Sequence, residues 1–201
     1  MMSFANKLGM VMVGAMLSIV ATGCSSSSQD GAEDEVTDST ADELTGGTCA
    51  SSLASGVVPA KHRALLDTIA FTEGTRGRGQ NGYNVTFAYR YFSSCARHPN
   101  MRICASGYCS TAAGRYQFLT TTWNGLGYAN FGPANQDRAG MKLVSRRGAN
   151  VPTGRALSAT EFANTMNRIS YEWASLPPGR YGQPSYSMAA TRREYCKLAG
   201  C

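Results

Sequence analysis

Residues 61–74 read KHRALLDTIAFTEG, and this stretch carries the clearest structural signal in the chain. Leu65, Leu66 and Ile69 recur at the spacing that places side chains on one face of an α-helix. The closing glycine ends helices readily, because it adopts the left-handed conformation without a steric penalty. The pattern therefore predicts a helix over 61–73 with one apolar face.

Glu73 is the polar residue that continues this apolar face. It follows Ile69 by four positions, so its carboxyl group lies on the same side of the helix. It also falls in the last turn, where the negative end of the helix dipole disfavours an anion. Burial and the dipole both raise the pKa of a carboxyl group, which suits a general acid. The alternative is that Glu73 points into solvent or pairs with Arg76 or Arg78.

The pattern beyond this helix is mostly helical, with one short β region. A glycine-rich loop over 75–82 precedes a run of aromatic and β-branched residues at 83–92, and this run predicts one or two strands. Residues 93–114 are cysteine-rich and irregular. Ser158 and Glu161 have the spacing of a capping box at the start of a helix. Further helices are predicted over 115–126, 136–147, 158–176 and 185–198, with Pro177-Pro178-Gly179 ending the third. These elements together predict an α+β fold.

Composition divides the chain into three parts. Residues 25–48 hold seven acidic residues and no Lys or Arg, and they are expected to form a disordered linker. This linker would join a targeting segment, residues 1–24, to one domain, residues 49–201. That domain has 18 Lys and Arg against 6 Asp and Glu, a charge of +12 compared with +6 for the whole chain. So basic a surface favours a polyanionic partner. Since the chain is expected to be exported, the anionic cell wall is favoured over nucleic acid.

The first 24 residues resemble a bacterial lipoprotein signal. The apolar run Leu8–Ala21 has 14 residues, which suits a signal peptide and falls short of the about 20 residues of a membrane span. Small residues then lead into Cys24, the residue that such a signal would have lipidated. The alternative is an ordinary cleaved signal with an incidental cysteine. The sequence thus predicts an exported lipoprotein, attached through Cys24 to the periplasmic face of a membrane or to the cell surface.

An even number of cysteines lies in the predicted domain. They are Cys49, Cys95, Cys104, Cys109, Cys196 and Cys201. In an exported chain this set predicts three disulfides, with the pairing left open. The alternative is a zinc site, because two of the cysteine pairs have a spacing that zinc ligands can show and His98 lies near the first of them. Disulfides are favoured, and no metal or cofactor is expected.

Short motifs follow one another along this domain. They are Thr72-Glu73-Gly74-Thr75, Asn81-Gly82-Tyr83, His98-Pro99, Ala113-Gly114-Arg115-Tyr116-Gln117, Gln136-Asp137, Arg147-Gly148-Ala149, Trp173-Ala174-Ser175-Leu176-Pro177 and Tyr181-Gly182-Gln183. In order and spacing, over about residues 62–184, they resemble the lambda-type phage endolysins, which are lytic transglycosylases with a lysozyme-like fold. The resemblance implies a mostly helical domain whose small β lobe flanks an active-site cleft.

The resemblance also implies roles for individual residues. Glu73 matches the catalytic acid of the family, and the segment 114–117 and Tyr181 match the lining of its glycan groove. Residues expected to bind substrate are Tyr83, Arg115, Tyr116, Gln117, Tyr181 and Gln183. Structural packing is the alternative for each of these, and Arg115 fits a pair with a carboxylate equally well. In one departure, Asn84 stands where relatives carry Asp.

The scarcity of acids in the domain bears on the mechanism. The five besides Glu73 are Asp67, Asp137, Glu161, Glu172 and Glu194. Asp67 precedes Glu73 by six positions, about 240° around the helix, and is expected to face away. The usual glycosidase needs two carboxylates beside the scissile bond. A single acid predicts transglycosylation, in which Glu73 acts first as acid and then as base and leaves a 1,6-anhydromuramic end.

Three other functions stay open at this point. A hydrolytic muramidase would use the same cleft, and a non-catalytic wall-binding lipoprotein would keep only the fold. A nucleic-acid binder is disfavoured by export. The expected partners are peptidoglycan glycan strands and, through the lipid on Cys24, a membrane, with no nucleic acid; the protein is expected to be a monomer.

Overall fold

The computed structural model describes residues 47–201, so the predicted signal with Cys24 and nearly all of the predicted linker lie outside the described residues. Five helices and one two-stranded sheet are described. The helices are α1 (Ala60–Thr72), α2 (Thr120–Asn124), α3 (Pro133–Arg146), α4 (Ala159–Ile169) and α5 (Met188–Ala199), and the strands are β1 (Ile103–Ala105) and β2 (Tyr108–Ser110). Short 3₁₀ turns occur at Ser51–Ala54 and Phe87–Tyr89. The predicted α+β class is confirmed.

Helix α1 forms the centre of the core, as its apolar face predicts. Leu65, Leu66 and Ile69 are completely buried, and the helix packs against α5 and α3. Burial of each of these side chains contributes about 1.5–3 kcal/mol, which is why this face dominates the signal in the sequence. Gly74 follows the helix with φ +69°, the left-handed conformation expected of a helix stop.

Two of the other helices are close to their predicted bounds, and two are shorter. The capping box of Ser158 and Glu161 is present and starts α4, but this helix ends at Ile169 and not near residue 176. The helix predicted over 115–126 is wrong for its first half. Gln117 has φ +48°, and Ala113 pairs with Phe118 across the turn between them, so helix α2 begins only at Thr120.

The β structure lies in a different place from the prediction. Residues 83–92 contain only isolated bridges, such as Val85 with Tyr91, around a 3₁₀ turn. Strands β1 and β2 instead form an antiparallel hairpin in the cysteine-rich segment that was predicted to be irregular. Ser106 and Gly107 both have positive φ, 51° and 83°, which is the geometry of a two-residue hairpin turn. Such a short hairpin has a weak sequence signal because each strand has three residues.

All six cysteines of the described residues form disulfides, as predicted. The pairs are Cys49–Cys95, Cys104–Cys109 and Cys196–Cys201. Because the sulfur atoms are joined in pairs, the alternative of a zinc site on these thiolates is wrong. Cys104 and Cys109 face each other across the hairpin, so the second disulfide staples β1 to β2.

Aromatic side chains fill the space between α2 and α3. Trp123 and Phe131 pack edge to face with ring centres 4.5 Å apart, and Phe118 lies against both. Trp173 is also buried, and its indole N–H donates to the carbonyl of Tyr116 at 2.9 Å. Within residues 47–201, no helix has the length and apolarity that crossing a membrane requires.

Candidate active site

A cleft of about 580 Å³ opens at the C-terminal end of α1. Its walls are the end of that helix, the 3₁₀ turn Phe87–Tyr89, the tip of the hairpin and the segment before α5. The lining residues are Thr72, Glu73, Phe87, Ala88, Tyr89, Ala105, Ser106, Tyr108, Gln117, Ser175, Gly182, Gln183 and Pro184. Its volume is in the range of small-molecule and saccharide sites.

Glu73 is the one acidic residue among those that line this cleft. Its side chain is partly buried, and burial raises the pKa of the carboxyl group to about 7, although a hydrogen bond from Ser175 opposes the shift. The Ser175 hydroxyl donates to Glu73 Oε1 at 2.6 Å. Near neutral pH the carboxyl group is therefore divided between its protonated and ionised forms, which allows it both to give and to take a proton.

Neither arginine that the sequence offered as a partner pairs with Glu73. Arg76 forms an ion pair with Glu194 at 2.6 Å. Arg78 donates to the carbonyl of Gly74 at 2.7 Å, and its guanidinium lies 4.1 Å from the centre of the Tyr89 ring. The alternative of an ion-paired Glu73 is therefore wrong, and no cation of the described residues lowers the pKa of this carboxyl group.

The other carboxylates of the described residues are each engaged by an arginine. The pairs are Asp67–Arg115, Asp137–Arg63, Glu161–Arg155, Glu172–Arg147 and Glu194–Arg76. Asp67, on the same helix as Glu73, is held 2.8 Å from Arg115 Nη2 and does not line the cleft. Within residues 47–201 Glu73 is therefore the acid without a cationic partner, and the cleft lacks a second carboxylate.

Three of the expected substrate-binding residues lie at the surface of the groove. Gln117 and Gln183 line the cleft with Glu73. Tyr181 is exposed and lines an adjoining groove of about 330 Å³, together with Tyr171 and Leu119. Gln117 also lines this second groove, so the two spaces meet at its side chain. The arrangement provides a continuous path for an extended ligand.

The side chains of Tyr83, Arg115 and Tyr116 are buried, so they are not exposed as sugar-binding side chains usually are, although Tyr116 borders the groove of Tyr181. The two tyrosine hydroxyls donate to Asp137 Oδ1 at 2.9 and 2.6 Å, and Arg63 pairs with the other oxygen of this carboxylate. Arg115 pairs with Asp67 and donates to the carbonyl of Asn81. The alternative of a pair with a carboxylate is therefore the right one for Arg115. These side chains hold α1, the loop after it and α3 together.

Most of the other cleft residues were missed in the sequence, among them Ser175, Tyr108 and Tyr89. Ser175 lies inside a quoted motif, Trp173-Ala174-Ser175-Leu176-Pro177, but nothing local indicates that its hydroxyl reaches Glu73. Tyr108 is exposed at the hairpin, a turn that was not predicted. Tyr89 has a left-handed φ of 58°, a strained conformation that often marks functional sites. A Cβ atom on Gly74 would lie 2.5 Å from the Tyr89 hydroxyl, so the glycine makes room for this tyrosine.

Asn84, the departure noted in the sequence, has a structural role that uses both ends of its amide group. Its Oδ1 accepts from the backbone N–H of Gln80 at 2.8 Å, and its Nδ2 donates to the carbonyl of Phe92 at 3.2 Å. A carboxylate at this position has no hydrogen to donate to the second partner. Asn84 therefore ties both sides of the loop together, and it does not line the cleft.

The fold and the cleft define a class of protein. A mostly helical domain, a small stapled hairpin and one cleft carboxyl group of raised pKa are the parts of a lysozyme-like enzyme. A model of the Endolysin family matches residues 63–201, and the chain belongs to this family.

Individual relatives agree with this assignment. The chain is 33% identical over 132 residues to the endolysin of Escherichia phage lambda, covering 61% of this chain and 81% of that protein. It is 32% identical over 149 residues to the endolysin of Escherichia phage P2, covering 62% and 84%. Among solved structures, bacteriophage lambda lysozyme complexed with a chitohexasaccharide is similar, with a TM-score of 0.64 and 28% identity over 70% of this chain and 95% of that one. The predicted family and lysozyme-like fold are thus confirmed.

Proposed function

We propose that this protein is a peptidoglycan lytic transglycosylase that cleaves the β-1,4 bond between N-acetylmuramic acid and N-acetylglucosamine. The observation that carries the proposal is the isolation of Glu73. Its pKa is raised to about 7, and every other carboxylate of the described residues is paired with an arginine. A mechanism with two carboxylates has no second group to use in this cleft.

A single carboxyl group is sufficient for an intramolecular transfer. Protonated Glu73 gives its proton to the glycosidic oxygen as the bond from that oxygen to the muramic C1 breaks. The muramic C6 hydroxyl then attacks C1, and the Glu73 carboxylate takes the hydroxyl proton, which restores the acid. The products are a free 4-hydroxyl and a 1,6-anhydro ring, and no water is consumed. The acetamido group of the substrate is able to stabilise the positive charge at C1.

The surroundings of Glu73 suit this double role. Ser175 donates a hydrogen bond to Oε1, which stabilises the ionised form, while burial stabilises the protonated form. Gln183 offers its amide group to the hydroxyl and acetamido groups of a sugar, and Gln117, whose Nε2 donates to the carbonyls of Val85 and Gly114, offers its Oε1. The exposed rings of Tyr108 and Tyr181 offer apolar faces and hydroxyls at either side of Gln117.

We further propose that the protein acts outside the cytoplasm, held by a lipid on Cys24. Three disulfides in the described residues support an oxidising compartment. The apolar run that ends before Cys24 supports a lipoprotein signal. Such a location places the cleft in the layer where its proposed substrate lies.

The products of digestion test the proposed reaction against hydrolysis. Purified sacculi digested with the protein should release fragments whose muramic ends are 1,6-anhydro sugars, which are one water lighter than reducing ends. Mass spectrometry of the soluble fragments measures this difference directly. Fragments that carry reducing ends would assign the cleft to a hydrolytic muramidase, and intact sacculi would favour a wall-binding protein.

Removal of the Ser175 hydroxyl should shift the pH dependence of the activity. Its hydrogen bond lowers the pKa of Glu73, so Ser175→Ala should raise that pKa further. Because the reaction begins with protonated Glu73, kcat/KM falls as pH rises through this pKa, and the fall should move to higher pH in the variant. Turbidity loss of sacculi between pH 5 and pH 9 measures the profile.

The conservative variant Ser175→Thr is the matched control for this shift, because it keeps a hydroxyl. In Ser175→Thr, kcat/KM should fall at the same pH as in the parent, even if the rate of this variant is lower. A uniform loss of rate in Ser175→Ala with an unmoved profile would show that Ser175 only packs beside Glu73.

A further inference from the structure

A second pocket, of about 470 Å³, lies apart from the groove that contains Glu73. The short helix α2 lies between this pocket and the groove of Tyr181, which adjoins the Glu73 cleft. Thr122 lines the groove of Tyr181, whereas Trp123 and Asn124 line the second pocket. An α-helix with its side chains is about 10–12 Å across, so a branch of about that length on a polymer bound in the groove would reach this pocket.

Four cations lie at or near this pocket. Arg97 lines it, and Arg138, Lys142 and Arg146 lie on α3, four residues apart, all exposed and close to Tyr128, which also lines the pocket. Side chains four residues apart share one helix face, at steps of about 6 Å along the axis. All the carboxylates of the described residues pair with other arginines or lie in the Glu73 cleft, so none neutralises these four cations.

Tyr128 provides a flat face in the middle of these charges. Its ring stacks on Trp123, with ring centres 5.6 Å apart and an angle of 28° between the planes. Lys142 Nζ lies 5.5 Å from the centre of the Tyr128 ring and donates to the carbonyl of Leu126 at 2.9 Å. Burial raises the pKa of Tyr128, and the nearby charges of Arg138 and Arg146 oppose that shift.

These residues form one surface, the Tyr128 surface, made of Arg97, Tyr128, Arg138, Lys142 and Arg146. We propose that the Tyr128 surface binds the carboxylate-bearing stem peptides of peptidoglycan. The inference rests on the proposed function, since it adds a second contact to the same substrate. The row of cations on α3 matches a flexible chain of carboxylates, and Tyr128, which is partly exposed and supported by the buried Trp123, offers its ring edge and hydroxyl to the peptide between them.

The chemistry of the wall polymer shows why the peptides, and not the glycan, fit this surface. In a peptide-bearing strand the lactyl carboxyl group of muramic acid is joined to the peptide through an amide bond, so the glycan itself is uncharged. The negative charge lies on the stem peptides. A cationic surface beside an uncharged sugar groove therefore makes the enzyme selective for strands that still carry their peptides.

The test compares binding to peptide-bearing and peptide-free glycan strands. The whole chain with Glu73→Gln, which prevents digestion, is sedimented with sacculi and, separately, with glycan strands stripped of peptides by an amidase. The lactyl carboxyl groups that the amidase frees are capped as methylamides, so that the stripped strands stay uncharged. At low salt we expect the peptide-bearing strands to bind about fivefold more tightly, the effect of two exposed charge pairs. Adding Arg138→Gln and Arg146→Gln should abolish this difference and leave binding to stripped strands unchanged.

The matched control removes two other exposed arginines, Arg168→Gln and Arg193→Gln, which form no ion pair in the structure. It should keep the fivefold preference. An equal loss in this control would mean that net charge alone acts, and equal binding of both kinds of strand by the parent would overturn the proposal. The parent could instead bind anionic phospholipid vesicles more tightly than sacculi and lose this binding in Arg138→Gln/Arg146→Gln. That result would assign the surface to a membrane and would also overturn the proposal.

Failure of this inference is distinguishable from failure of the proposed function. With Glu73 intact, Arg138→Gln/Arg146→Gln should cut stripped strands at the parent rate and give 1,6-anhydro ends. A parent that binds peptide-bearing strands preferentially but releases no anhydro products would contradict the proposed function alone. Normal anhydro products without any preference for peptides would contradict the Tyr128 surface alone.

Discussion

Glu73→Gln should lower the rate of wall digestion by a factor of about 10²–10⁴, the usual contribution of a general acid. Glutamine has the size of glutamate and still accepts the hydrogen bond from Ser175, but it has no proton to give to the glycosidic oxygen. Release of soluble muropeptides from purified sacculi at pH 6 measures the loss. The variant should stay folded, because the change removes a carboxyl group that burial already disfavours in its charged form.

Glu161→Gln is the matched control for this loss. It makes the same chemical change at the start of α4, where glutamine also supports the capping box, and Glu161 does not line the cleft. Its activity should equal that of the parent. A Glu73→Gln protein as active as this control would remove Glu73 from the mechanism and with it the case for a single-acid reaction.

Asp137→Ala should lower the free energy of unfolding by about 3 kcal/mol or more, the cost of breaking a buried charge pair. Asp137 is completely buried, pairs with Arg63 and accepts from the hydroxyls of Tyr83 and Tyr116. Alanine leaves both buried hydroxyls and the arginine without their acceptor, and each unsatisfied group carries its own desolvation cost. Urea unfolding with the disulfides intact measures the change.

The matched control for Asp137 is Glu172→Gln. Glu172 also pairs with an arginine, Arg147, but that arginine is well exposed, so its loss should cost at most about 1 kcal/mol. If Asp137→Ala cost no more than this control, the buried network would not hold α1 and α3 together. Activity per folded molecule should remain measurable in Asp137→Ala, because Asp137 does not line the cleft.

The elements that were predictable from the sequence are those with strong local signals. The face of α1 is one, because its three fully buried side chains recur at a spacing that matches a helix and not the two-residue alternation of a strand. The capping box of Ser158 is another, since both of its hydrogen bonds lie within four residues. Glu73 stood out because a carboxylate interrupted that apolar face, and its raised pKa agrees with the reasoning.

The errors come from contacts between distant parts of the chain. Tyr83, Arg115 and Tyr116 have the composition of a sugar-binding surface, but their partners Asp137 and Asp67 lie far away in sequence. Burying such a polar network is favourable only when every member is satisfied, and a local pattern does not show whether this is so. Ser175 and Glu73, which are joined by a hydrogen bond, lie 102 residues apart in sequence, and no spacing rule indicates a contact between them.

The disulfide between Cys49 and Cys95 has a mechanical consequence. It closes a covalent loop across a sequence separation of 46, and that loop contains α1 and Glu73. If the chain is pulled apart between a point ahead of Cys49 and a point beyond Cys95, the covalent load passes through the sulfur–sulfur bond and bypasses the polypeptide of the loop. The helix that carries Glu73 therefore cannot be drawn out by such a load while the disulfide is intact.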